Sequence, residues 1–556
     1  MYLFALALLL FFSGPFIHGR TTPVIVSEEG VVTPSMDAVG LFSPHKRDIP
    51  ADVWKGILYT DYSYMMKGTS SVFRSSVLAD MAVFFLSLTA LPPGFLAKNK
   101  HQNLSIRMAK LLNLGHLDLV EGLWLGANSF GDPPLDVCKV YVSYLVCMDR
   151  VREARKLVEK TLQDAEKPLP DQEKMSKAKL TTWKRTYRIL QMLDASCEDA
   201  CNIAEMQNIL SEHVAEDDFS DIRKIVLNKS FKHVTHWNAL LVKLVCRFVP
   251  ITSNFIEELP KEFYSVVYHD QVWIKITDDL RLKIVEHLVR VGALDGQTLL
   301  RFYTQADTTV LPVPVHTRKI PAHIADAAKK DCDPLMRACA YQMLQSAYTE
   351  DRLYQERGLL LDAFVRMLSK AGFLFVAAKE LSSFVVKIEP NEQYKNFAPS
   401  VFLISLLCRD MLSKESYEKW RDLALSVNHP LPVVPIYIIL NQDFEERNDL
   451  MKVFADWYKK QKEHNESIDK SLWVLAMAAP WLPAKVSLPQ IAITTTSHMT
   501  VDGFLYWAHQ SGKKGQVLGA LVGRASSQEL LPAIGPALFV NKDWGRKLAV
   551  ESLLMQ

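Results

Sequence analysis

Ile106–Trp124 reads IRMAKLLNLGHLDLVEGLW, and Val140–Val158, 34 residues later, reads VYVSYLVCMDRVREARKLV. Apolar residues coincide at Ile106/Val140, Met108/Val142, Leu111/Leu145, Leu112/Val146, Leu114/Met148, Leu117/Val151 and Leu123/Leu157. Each stretch gives a helix, a short turn and a second helix, with apolar side chains returning every three or four residues. The modest side chains at Val120 and Ala154 let the paired helices approach closely. Val151, Ala154, Leu157 and Val158 form a single stripe on the second helix.

The same grammar spreads outward. Cys197, Ala200 and Ile203 repeat the stripe at an offset of 46, with the extra length placed in the polar insertion Lys167–Ala178. Insertions of this kind emerge as surface loops. Leu282–Phe302 turns at Gly292, Leu361–Phe384 turns at Lys370-Ala371-Gly372, and Val401–Val427 forms a hairpin split near Asp410–Lys414. The expected fold is therefore all-α: a helical-hairpin repeat solenoid coiled as a right-handed superhelix, with a less regular C-terminal region. An irregular helical bundle buries hairpins by the same rules and is the alternative.

A helix–turn–helix period of 34 resembles the tetratricopeptide repeat. LDAFVRMLSKAGFLFVAAKELSSF (Leu361–Phe384), trailed by Pro390, is more similar to a pentatricopeptide repeat, as is VTHWNALL at Val234–Leu241 with its Asn238. That resemblance implies a mitochondrial protein of RNA processing, editing or ribosome assembly. The repeats lack a sustained tandem period, which departs from the regular arrays that read RNA base by base.

The segments divide as follows. Residues 1–20 form a hydrophobic leader, too short for a membrane span of about 20 apolar residues. It has the apolar centre of a secretory signal without the basic start, and a single arginine, Arg20, where a presequence carries several. Residues 21–71, with Pro23, Pro34, Pro44 and Pro50, read as an extended arm. Residues 72–480 read as the repeat domain, with a sub-boundary near 310–330. Residues 481–556 read as a helical cap, with an extended run at Ile491–Thr496 and short helices at Val501–Gln510, Gln516–Val522 and Trp544–Leu554. The sequons at Asn103, Asn228 and Asn465 fit secretion, the alternative address.

Composition excludes several classes. The chain has 556 residues, 49% apolar and 23% charged, with a net charge of +2, so it is neither a disordered segment nor a broadly basic coat for nucleic acid. Eight cysteines without a CxxC pair read as buried reduced thiols. His233 and His236 near Cys246 make only half a zinc set. Ser511–Gly515 lacks the ending of a phosphate loop, and no protease, hydrolase or kinase motif occurs. The expectation is a non-catalytic scaffold without cofactor or metal, bound to other protein subunits.

One stretch stands apart. KMSKAKLTTWKRTYR (Lys174–Arg188) holds Lys174, Lys177, Lys179, Lys184, Arg185 and Arg188 with no acid, together with Trp183 and Tyr187. Cations interleaved with aromatics suit RNA phosphates and unstacked bases. The competing reading is a solvated loop that runs into a helix whose aromatics face the core. A protein-interaction adaptor without RNA binding is the alternative function.

Overall fold

The computed structural model describes residues 36–90 apart from several positions between 44 and 55. It further describes 102–166, 176–195, 222, 225, 229–310 apart from 233, 235 and 250, and 333–349. The last parts are 354–426 apart from 386–387, 396 and 406–411, and 514–554 apart from 524–529. Among these residues the chain is all-helical, and its nearest approach to a sheet is one isolated parallel bridge between Phe42 and Leu88. The third repeat unit at Cys197, the extended run at Ile491 and the short helix at Val501 lie outside the described residues, as does the leader.

Helix α1 spans Tyr59–Gly68 and α2 spans Ser76–Ser87. The two decisive hairpins are α3 (Gln102–Asn113) with α4 (Leu117–Asn128), and α5 (Leu135–Cys147) with α6 (Val151–Glu166). They are followed by α7 (Lys177–Ala195), α8 (Ala239–Phe248), α9 (Ser253–Glu258) and α10 (Tyr264–Tyr268). Next come α11 (Asp278–Arg290), α12 (Gly296–Gln305), α13 (Pro334–Thr349), α14 (Tyr354–Lys370) and α15 (Leu374–Val385). Helices α16 (Ala398–Ser405) and α17 (Lys414–Ser426) precede the last three, α18 (Lys514–Val522), α19 (Leu531–Val540) and α20 (Lys542–Leu554).

Four hairpins share one turn. Helices α3, α5, α11 and α14 each end with a residue in the left-handed region: Gly115, Asp149, Gly292 and Gly372, at φ of 81°, 58°, 78° and 83°. In each, the next residue's N–H reaches the carbonyl of a leucine five positions back. The pairs are His116 to Leu111 (3.0 Å), Arg150 to Leu145 (2.8 Å), Ala293 to Leu288 (2.8 Å) and Phe373 to Leu368 (2.8 Å). This is the Schellman closure, which satisfies the last carbonyls of a helix and reverses the chain. All four leucines are buried. The repeated element is thus a buried leucine, a left-handed residue and a return helix.

The turns also bind one another. His116 Nε2 donates to the Val291 carbonyl at 2.7 Å, and Arg290 Nε donates to the Ala371 carbonyl at 2.6 Å. These bonds tie the turns at 115, 292 and 372 to one another.

Sequential neighbours pack against each other through most of the chain, and α3 also meets α5, α11 meets α13, and α12 meets α15. The end of the chain then comes back to its beginning. Helix α18 packs on α1 and α2, and α20 packs on α2, α14 and α16. Trp544 is fully buried there against Phe84, and its Nε1 donates to Asp80 at 2.7 Å. Glu551 of α20 reaches the start of α2, where Ser76 N and Ser76 Oγ each donate at 2.8 Å and Ser75 Oγ donates as well.

The stretch read as an extended arm behaves differently over its described part. Met36, Asp37 and Ala38 form a buried helical turn against α3. Helix α1 buries Tyr62, Met65 and Met66, the i, i+3, i+4 pattern of an amphipathic helix. The prolines at 23, 34, 44 and 50 all precede it, so nothing breaks the periodicity from residue 59 onward.

Two charged clusters lie inside the helical core. Lys243, with a side chain 1% exposed, sits between Asp149 (2.8 Å) and Asp270 (2.6 Å). Arg337 forms a two-pronged pair with Glu286 at 2.7 and 2.5 Å, and Tyr303 donates to the same carboxylate at 2.5 Å. Buried charges persist only when paired in this way.

Candidate nucleic-acid interface

Helix α7 carries all the described residues of the cation–aromatic stretch; Lys174 lies outside them. Ser176 precedes the helix and accepts the Lys179 N–H at 3.3 Å, in the manner of an N-cap. Trp183, Ile189, Leu190, Met192 and Leu193 are buried, and Tyr187 packs half-buried against the same core. Lys177, Lys179 and Lys184 are exposed, while Arg185 and Arg188 are half-buried.

The interleaving seen in the sequence is therefore resolved by the helical period into two faces. Lys177, Lys184 and Arg188, at i, i+7 and i+11, share one side of the helix, the two lysines exposed and Arg188 half-buried, flanked by Arg185. Lys179 lies around the first turn on another side. Trp183 belongs to the hydrophobic core, at 6% exposure, and is not placed to stack on a base. Tyr187 keeps one exposed edge.

The electrostatics of the face are one-sided. Asp194, the acid of α7, is held by Arg152 at 3.1 Å and Arg155 at 2.5 Å from the neighbouring α6. Among the described residues no carboxylate pairs with Lys177, Lys179, Lys184 or Arg188. Among the described residues these cations thus have no ion-pair partner that a phosphate would first have to displace.

The other candidate chemistry is structural where it is described. Cys138, Cys147, Cys246 and Cys339 are free, buried thiols, and burial pushes Cys138 up to about 11 and Cys147 up to about 12, away from the reactive thiolate. His233 and the Cys197/Cys201 pair lie outside the described residues. Lys514 and Gly515 begin α18, where Gly515 lies against Val53 and Trp54. Among the described residues no group of three His, Cys, Asp or Glu side chains is arranged to hold a metal. No helix among them is long and apolar enough to cross a membrane.

Asn103, the first residue of one sequon, is buried in α3. Its Oδ1 accepts from Tyr62 Oη at 2.9 Å, and its Nδ2 donates to the Asp37 carbonyl at 3.3 Å. A glycan on that nitrogen would require this part of the core to open.

Comparison with family models, curated proteins and solved structures finds no match to this chain.

Proposed function

We propose that this chain is a non-catalytic scaffold of stacked helical hairpins in mitochondrial RNA metabolism. In this reading it is a subunit of an RNA-processing, editing or ribosome-assembly complex, and its hairpins follow one another in a right-handed superhelix. The mitochondrial address rests on the resemblance of Leu361–Phe384 to a pentatricopeptide repeat. The RNA role rests on one observation: the line of Lys177, Lys184 and Arg188 on α7, none paired with a carboxylate among the described residues.

With Trp183 in the core, contact through this face would be to phosphates, not bases, and so independent of sequence. Selection of a particular RNA would then fall to partner subunits. A near-neutral chain with one basic face fits that division of labour.

The adaptor reading without RNA has its own support. Leu58, which precedes α1, and Tyr64 within it are 68% and 73% exposed, the apolar side chains that a protein partner would cover in that reading. For the secretory reading, the buried Asn103 removes one of its three sequons from use in the folded chain.

Purification of the tagged protein from its native cell after RNA cross-linking separates these readings. Recovery of organellar RNA together with ribosome or processing proteins is expected. Recovery of proteins alone, with no cross-linked RNA, would hand the assignment to the adaptor.

A further inference from the structure

Thr181 lies on the cationic side of α7. Lys177, Thr181, Lys184 and Arg188 stand at i, i+4, i+7 and i+11, so the threonine fills the gap between the two exposed lysines. On a helix, side chains three and four positions apart are neighbours, with about 5–6 Å between their Cβ atoms. Thr181 is itself exposed, and its Oγ1 donates to the Lys177 carbonyl at 2.9 Å. Among the described residues neither lysine has a carboxylate partner. A negative group on Thr181 would therefore have both ammoniums within reach and no acid among those residues to displace.

The other hydroxyls of α7 and its start are placed differently. Ser176 is committed to the helix start, where its Oγ accepts the Lys179 N–H at 3.3 Å. Thr182 is exposed but lies about 100° around the helix from Thr181, on the side of Lys179. Thr186 is half-buried and donates to the Thr182 carbonyl at 3.0 Å.

A second observation concerns access. A protein kinase takes its acceptor hydroxyl from an extended segment, so a helical threonine becomes a substrate only where the helix opens readily. Of residues 177–182 none is buried; Leu180 is half-buried and the rest are exposed. Trp183 is the first residue of α7 that belongs to the core. The stretch before it is held by backbone bonds and the Ser176 cap, and unwinding it uncovers no core side chain. The flanks are basic on both sides, with Lys177 and Lys179 before Thr181 and Lys184 and Arg185 after it.

We infer that Thr181 is a phosphorylation site that switches the α7 face off, an inference that rests on the RNA role proposed for that face. In the step, the Thr181 Oγ1–H attacks the γ-phosphorus of ATP held by a protein kinase. An Oγ1–P bond forms and the bond from that phosphorus to the bridging β,γ oxygen breaks. ADP leaves with the electron pair, and the hydroxyl proton passes to a base of the kinase. The product carries a charge of about −1.5 to −2 at neutral pH. That charge answers Lys177 and Lys184 from within the chain, where an RNA phosphate would otherwise do so, and repels the strand.

Two measurements test it. Phosphopeptide mapping of the protein from its native cell, with phosphatases inhibited, is expected to find phosphate on Thr181; its absence would overturn the modification. Single-stranded RNA binding at low salt is then compared among the natural full chain, T181E, T181V, T182E and K177Q/K184Q/R188Q. T181E should bind about three- to tenfold more weakly. Its slope of log Kobs against log salt should flatten by about 0.7 to 1.4, one or two phosphates fewer. T181V leaves the charge unchanged and should bind as the natural chain does. T182E should lose less than T181E, and equal losses would reduce the effect to net charge and overturn the placement. Natural affinity in T181E, with binding weakened in the triple variant, would overturn the switch and leave the RNA role standing. Natural affinity in the triple variant would overturn the RNA role itself, and the switch with it.

Discussion

Asp149 occupies the left-handed position that three sister turns give to glycine, and its carboxylate explains why. Left-handed backbone costs a residue with a Cβ about 1–2 kcal/mol. Here that cost is offset by the pairing of Asp149 with the buried ammonium of Lys243. Asp149→Asn keeps a side chain that tolerates the conformation and removes the charge, leaving Lys243 with Asp270 alone. Urea unfolding should show a loss of about 1–2 kcal/mol. Asp149→Gly should lose less, since the backbone cost disappears with the side chain. An unaltered stability in Asp149→Asn would show that the pair contributes nothing. His287 gives a second test at this scale. Burial, with Arg290 and Lys261 nearby, lowers it from 6.5 to about 3 in the folded chain. Between those values the unfolded chain binds a proton that the native chain refuses. Stability therefore falls as pH drops through that window, by up to about 1.4 kcal/mol per pH unit. His287→Leu should lose less stability than the natural protein between pH 7 and pH 5. Some acid sensitivity will remain, because burial lowers His116 in the same direction. Equal losses in both proteins would refute the burial of a neutral imidazole. Neither residue announces itself in the sequence. Asp149 sits in a turn that reads as polar surface, and Lys243 reads as one exposed position of an amphipathic helix.

At the level of the element, the hairpins are legible in the sequence because a leucine stripe and a glycine turn are local patterns. Gly292 and Gly372 mark their turns directly, and the offset of 34 aligns Asp149 with Gly115. The cation–aromatic stretch is legible only as composition. Which of its residues face water depends on where α6 and the core lie, and that places Trp183 inside. Helix α1 escapes a sequence reading because the prolines before it give the segment an extended texture. The shared turn makes a ranked prediction. Gly292→Ala meets only the edge of the His116 ring at 3.5 Å, so it should cost about 1 kcal/mol for the left-handed backbone alone. Gly372→Ala adds a collision with the Arg74 backbone and should cost about 2 kcal/mol or more. Equal costs, read from denaturant midpoints, would contradict the close approach of the turn to residue 74.

For the whole molecule, the return of α18–α20 to the N-terminal helices is the feature no local pattern could supply. Glu551 and Ser76 are 475 residues apart, and nothing in either neighbourhood names the other. Glu551→Ala leaves three donors at the start of α2 unanswered and should cost about 2–3 kcal/mol. Hydrogen exchange should then show α2 and α20 losing protection together. Fraying of α20 alone would mean that the two ends are not coupled through this carboxylate. Periodicity supplies the helices and their hairpins, whereas how the chain closes on itself is decided by which apolar faces remain uncovered once the hairpins have paired. Function follows the same division. The basic stretch can be read along the chain, but its value depends on Asp194 being withdrawn by Arg152 and Arg155. The salt dependence of single-stranded RNA binding therefore tests the proposed RNA role most directly, compared between the full natural chain and K177Q/K179Q/K184Q/R188Q. Affinity should fall in the variant, and the slope of log Kobs against log salt should flatten by about 0.7 for each phosphate no longer engaged. Identical affinity and slope in the two proteins would contradict α7 as the face that meets RNA.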